Sequence, residues 1–479
     1  MSTSRVTVAE LEQWDTRIRD VAGELGLTCY PQEFELCDHA QMLGTIAYSG
    51  MPSHYPHWSY GKSYEKLKTL YDHGVSGLPY ELVINSDPCL AYLMRDNPLG
   101  LQILTIAHVY GHNDFFRNNF TFRATGATRS LATFKLHADR VRDYIEDPSI
   151  GLDQVEAVLD AAHALALQCR RNQAVARLDE PELRRRQADA AHPPRDPYRA
   201  IHPPAAPYAP PPERLPSEPE ADLLLFIRDH SPRLADWQRD LLTIVHEQAR
   251  YFLPQIETKI MNEGWASYWH RTILTRLELP PDLQFEFMVN HNLVLAPQRG
   301  QVNPYHLGLA VWDHIERRYD AAAPDADAAD DLGKRSGRDK LFEVRRSDRD
   351  VAFLRRFLDE ELARELDLFQ HQARGDERVV SRVADSDDWL EIKQTLLQNV
   401  GLGQVPVIHV VDADFGGTRT LHLVHEHDGR DLQLEYARKT LEHLQRLWGR
   451  AVQLDTVVDG EPLRFEFDGS DFSSGSVSR

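Results

Sequence analysis

Apolar residues return every three or four positions through most of residues 1–175, the spacing of helices that each bury one face. "VAELEQWDTRIRDVAGELG" opens this region as an amphipathic helix, and Gly26 predicts where it stops. A loop rich in aromatic residues and histidine follows at "SGMPSHYPHWSYGKSYE". In "GLPYELVINSDPCLAYLM" a short apolar run is broken by Asn85, Asp87 and Pro88, which predicts a strand or turn ahead of the next helix, the one containing "AHVYGHNDFFRNN". Between Pro193 and Pro219 lie 11 of the 28 prolines, a composition that neither extends a helix nor buries a core, so a flexible insertion is expected there. Helical periodicity resumes from Asp222 to Leu279.

A second break, the acidic stretch Ala321 to Asp339, predicts a linker. After one more helical segment near Asp350 to Gln372, the period changes from helical to two. "RVVSRVAD", "VPVIHVVDAD" and "TLHLVHEHDG" alternate as strands do, "EIKQTLLQNVG" and "LEYARKTLEHLQRLWG" keep helical spacing, and "VQLDTVVDGEPLRFEFDG" predicts a hairpin turning at Asp-Gly. The expected fold is α+β: a large, mainly helical N-terminal domain over 1–320, a linker over 321–339, and a small antiparallel-sheet α+β domain over 340–479.

Composition narrows the partners. Acidic residues outnumber basic ones 74 to 54, for a formal charge of -20, which disfavours a surface that tracks nucleic-acid phosphates. No apolar run nears the roughly 20 residues of a membrane span. The N-terminus shows no cationic start followed by an apolar stretch, so the expected compartment is the cytoplasm. Cys29, Cys37, Cys89 and Cys169 are irregularly spaced, which argues against a thiolate zinc site and a disulfide framework.

His108 and His112 stand one helical turn apart, so both imidazoles share a side and can reach one ion. Glu263 and His270 in "MNEGWASYWH" are two turns apart on a second helix, again on one face, with Ala266 and Ser267 leaving space between them. Two helices each offering two donors predict a divalent metal site, with zinc the expected ion, built from His108, His112, Glu263 and His270. The alternative is a pair of hydrogen-bonded core histidines and a helix start at Glu263 capped by Asn262, with Trp265, Tyr268 and Trp269 filling core. "NEGWA" resembles the third-ligand segment of gluzincin metallopeptidases. "HVYGH" differs from their two-histidine motif in having Val109 where the catalytic glutamate stands, and Glu247 in "VHEQARYF" is the expected substitute base. His54, Tyr55, His57 and Trp58 in the aromatic loop, with Asn262, are expected to bind substrate.

"YPHWSYGK", "YELVINSDPCLAYLM", "YGHNDFFRNN", "PQIETKIMNEGWASYWH" and "VNPYHLGL" together resemble the stage V sporulation protein R (SpoVR) family, and "LEHLQRLWGRAVQL" is similar to that family's C-terminal domain. The resemblance implies a cytoplasmic role in stress or development, named for spore-cortex formation. It also implies partnership with a PrkA-type serine/threonine kinase and a von Willebrand-type protein. It implies no settled reaction. From the residues, two functions of different class are expected: a metal-dependent hydrolase of amide bonds in a protein or a peptidoglycan-like substrate, or a non-catalytic regulatory scaffold working with that kinase system. An oxygen-activating di-metal bundle fits less well, because the paired Glu-x-x-His pattern is missing.

Overall fold

Thr7 and Glu10 exchange hydrogen bonds, each side chain taking the other's backbone N–H, and this reciprocal cap starts the helix Val8–Glu24. The chain then leaves the helix through Gly26 at φ +95°, a conformation glycine adopts without strain. The computed structural model describes residues 6–72, 81–171, 178–191, 215–296, 302–322, 336–374, 377–383 and 389–477. Most of the insertion expected at 193–219 and of the linker expected at 321–339 lies outside those residues. The fold is α+β, and the chain divides into two interleaved units, Met1–Arg142 with Arg250–Gln404, and Asp143–Ala249 with Val405–Arg479.

Two antiparallel helices form the centre of the first unit. Leu99–Asn118, here the histidine helix, is buried almost all round, at Gly100 and at every residue from Gln102 to Phe116. Lys259–Arg276, the glutamate helix, packs along it and is buried at Trp265, Trp269 and His270, among others. Missing side chains set how closely they approach. A Cβ on Gly111 would stand 2.6 Å from the Ala266 Cα. On the other side of the glutamate helix, a Cβ on Gly264 would collide with the backbone of Gly308 and stand 2.7 Å from the Leu309 nitrogen, in the helix Pro304–Ala322. The glutamate helix is thus held between two neighbours at backbone contact, and Trp265, Trp269 and Trp312 fill the adjoining core.

Segments expected in the C-terminal domain belong to this first unit. Asp350 heads the helix Asp350–Phe357, and its carboxylate accepts the N–H groups of Ile260 and Met261, each at 2.9 Å. It thereby caps the glutamate helix, whose own Thr258 makes no side-chain cap. Arg345, in Gly337–Ser347, pairs with the buried Asp114 of the histidine helix at 2.6 Å, and Trp265 donates to the same carboxylate. Replacing Asp350 with alanine leaves two buried N–H groups unpaired and should lower stability by about 2 kcal/mol, read from chemical denaturation. A small sheet completes the unit, with Cys89–Met94 between a parallel neighbour, Gln32–Cys37, and an antiparallel one, Leu82–Ile84.

In the second unit a five-stranded sheet runs in the order Phe472–Ser476, Glu461–Phe467, Val452–Val458, Thr420–His425, Ile408–Phe415. The expected hairpin joins the second and third of these through Asp459 and Gly460, both at positive φ. The sheet is mixed, where an antiparallel one was expected. Leu434–Trp448 carries the chain back across a sheet face, so Thr420–His425 and Val452–Val458 run parallel. "RVVSRV" lies elsewhere, in a two-stranded ribbon of Phe369–Arg374 with Glu377–Val383.

Candidate metal centre

One turn apart on the histidine helix, His108 and His112 are 0% and 4% exposed, with their rings 4.6 Å apart. Their Nε2 atoms face two carboxylates. Glu263 comes from the first turns of the glutamate helix, and Glu81 stands immediately before the strand Leu82–Ile84. Glu81 Oε1 lies 3.1 Å from His108 Nε2 and 3.4 Å from His112 Nε2; Glu263 Oε2 lies 3.9 and 3.4 Å from the same atoms. All four donor atoms fall within 4.8 Å of one another. Donors bound about 2.1 Å from a tetrahedral ion stand about 3.4 Å apart, so this group could hold a metal ion. Oε2 of Glu81 and of Glu263 are both buried without a hydrogen-bond partner among the described residues, as atoms waiting for a cation would be.

Behind the donors, a polar shell fixes each imidazole. His112 donates from Nδ1 to Asn262 Oδ1 at 2.9 Å, which turns Nε2 toward the carboxylates, where its lone pair is available to an ion once its proton is displaced. His108 Nδ1 meets His270 Nδ1 at 2.7 Å, and His270 Nε2 meets His291 Nδ1 at 2.7 Å. When His108 presents its Nε2 lone pair to an ion, its Nδ1–H donates to His270, which donates in turn to His291. His270, expected as a ligand, therefore stands behind His108. Seven residues span about 10 Å of helix, too far for Glu263 and His270 to meet at one ion. Asn262 lies inside the glutamate helix and so does not cap it; it orients His112.

Charge in this pocket is shared. Burial alone would raise the carboxyls of Glu81 and Glu263, but the two imidazoles outweigh it and hold both below the usual range. Burial would likewise lower His112, yet Glu81 and Glu263 push it up to about 10. Burial drives His270 well below its ordinary value and lowers His291 to about 4. The metal-free pocket thus holds a proton on His112 that a cation must displace. Below pH 10 each ion bound should release about one proton, so affinity should rise up to tenfold per pH unit between pH 6 and 9. Calorimetry in buffers of different ionisation enthalpy measures that proton.

A cavity of about 400 Å³ opens onto His112, Glu81 and Glu263, with Phe116, Phe252, Ile256, Lys259 and Tyr305 in its wall. The aromatic loop does not contribute to this lining. His54 bonds the Tyr60 hydroxyl at 3.1 Å and stacks on Tyr48, the Tyr55 ring lies 4.2 Å from that of His54, and His57 takes the Ser59 N–H. Trp58 is 52% exposed. Glu247, expected as the proton acceptor, is exposed and is not among the residues of this lining; the carboxylate that joins the histidines beside Glu263 is Glu81. Helical spacing could not have found Glu81, which lies outside any helix, at the entrance to the strand Leu82–Ile84. Its one signal is an acid opening an otherwise apolar run, "ELVI". Lys259 and Tyr305 also line the cavity, and no helical period or ligand spacing singled them out.

Residues 5–405 match the family model described as SpoVR like protein, and residues 406–459 that described as SpoVR-like C-terminal domain. The uncharacterized protein YcgB of Escherichia coli (strain K12) is 33% identical over 488 residues, covering 93% of this chain and 91% of its own. No solved structure matches the chain.

Proposed function

The chain belongs to the SpoVR family, and from the four donors meeting at the cavity floor we propose that it is a zinc-dependent hydrolase of amide bonds in peptide or peptidoglycan-like substrates. The observation that carries this reading is the spacing of His108, His112, Glu81 and Glu263, which suits a tetrahedral ion with one carboxylate to spare. His108, His112 and Glu263 would hold the ion. Bound there, a divalent ion supplies Lewis acidity, polarising an amide carbonyl and making a water molecule acidic enough to attack near neutral pH.

The rest falls to the chain's own residues. Glu81 accepts the proton of the attacking water, the role first expected of Glu247, and its Oε2 has no hydrogen-bond partner among the described residues. It then returns the proton to the departing amine. Asn262 and His270 keep the two imidazoles in the tautomer that leaves Nε2 free to coordinate. The apolar wall of Phe116, Phe252 and Ile256 excludes bulk water from one side of the reacting bond.

Elemental analysis of the purified full chain should find about one zinc ion per chain, and amine release should follow from incubation with acylated peptides or peptidoglycan fragments. Trace metal alone would sink the reading. Full zinc occupancy without cleavage of any of these substrates would favour a regulatory scaffold acting with a PrkA-type kinase.

A further inference from the structure

Two unlike kinds of group line the cavity. Phe116, Phe252 and Ile256 are apolar; Lys259, the first residue of the glutamate helix, brings a cation beside them. Lys259 is exposed, and it forms no ion pair within the described residues. The charged groups of the lining are Glu81, Glu263 and Lys259, with His112 neutral once an ion is bound. A dication cancels the two carboxylates, so the loaded cavity carries one net positive charge, located on the Lys259 ammonium. A cation beside an apolar wall is a receptor for an anion attached to an apolar group.

We propose that Lys259 pairs with a free carboxylate of the substrate, so that the scissile amide is the one preceding an apolar C-terminal residue. This rests on the reading of the site as an amide hydrolase and adds to it the end of the substrate that is recognised. In the reaction, water adds across the C–N bond: its oxygen enters the new carboxylate of the shortened chain, and its protons leave on the released amino acid. A single monovalent cation matches one carboxylate, and about 400 Å³ accommodates one aromatic or branched side chain with its backbone.

The test uses the zinc-loaded full chain, with 3-phenylpropionate and 3-phenylpropionamide as probes and binding read by calorimetry. The carboxylate should bind at least about tenfold more tightly than the amide. In Lys259→Met that preference should fall below about twofold, and in Lys259→Arg it should return, with zinc content unchanged in all three. A preference that survives in Lys259→Met means the carboxylate sits on the ion and overturns the proposal, as does the absence of any preference in the unmodified protein. Zinc is measured first: a protein that takes up none overturns the hydrolase reading and this one together, whereas full zinc with no dependence on Lys259 overturns this one alone.

Discussion

With glutamine in place of Glu81, the protein is expected to keep its zinc and lose turnover by roughly 10²–10⁴-fold, the contribution usual for a positioned general base. The two effects separate because His108, His112 and Glu263 suffice to hold the ion, whereas an amide cannot take a proton from water. Glutamine fills the same volume and still offers an oxygen toward the imidazoles, so the fold should be unchanged by circular dichroism. Glu263→Ala should do the opposite first, reducing metal content while Glu81 remains in place. Equal loss of zinc in both variants would mean that both carboxylates are ligands and that the proton acceptor lies elsewhere. Metal content and initial rates on one peptide decide between these outcomes.

Gly264→Ala should destabilise the protein by roughly 3 kcal/mol or more, against the helix-propensity gain of about 1 kcal/mol that alanine ordinarily brings. The sign is set by what the new methyl meets. At Gly264 it meets the backbone of Gly308, which cannot turn aside as a side chain would, so the two helices must separate. The glutamate helix already meets the histidine helix at backbone contact on its other face, at Gly111 and Ala266, so yielding at Gly264 shifts Glu263 against His112, and zinc affinity should fall with stability. Gly44 is the control: it lies within the helix His39–Ala47, and an added Cβ there has nothing within 4 Å. Gly44→Ala should stabilise by up to about 1 kcal/mol with no effect on metal. Thermal melts with and without zinc distinguish the two glycines.

Much of this arrangement could be read from residue order. The first helix was legible because Thr7, Glu10 and Gly26 mark its ends chemically, and the hairpin at Asp459-Gly460 because few residues tolerate that turn. His108, His112 and Glu263 were legible as helical faces. What escaped depends on chain reversals that no local period records. Glu81 reaches the histidines only because the strand Leu82–Ile84 pairs with Cys89–Met94, and that strand's approach to the histidine helix is a tertiary fact. His270 shares a face with Glu263 but not a depth along the axis, and a period reports the first without the second. The parallel strand pair was hidden in the same way, since alternation marks a strand and is silent about its direction. The segment from Lys340 onward looked like a new domain because a linker precedes it, whereas Asp350 and Arg345 tie it to the glutamate and histidine helices.

Helices that touch backbone to backbone at Gly111 and Gly264 already stand at their closest approach, and that contact sets the space between their side chains. Calcium asks for six to eight oxygens at about 2.3–2.6 Å, a larger and looser shell than two imidazoles and two carboxylates, three of these four groups fixed to those helices, can offer. Discrimination by ionic radius would then be a property of residues that never touch the ion, and enlarging either glycine would alter which cation is accepted before it altered any donor.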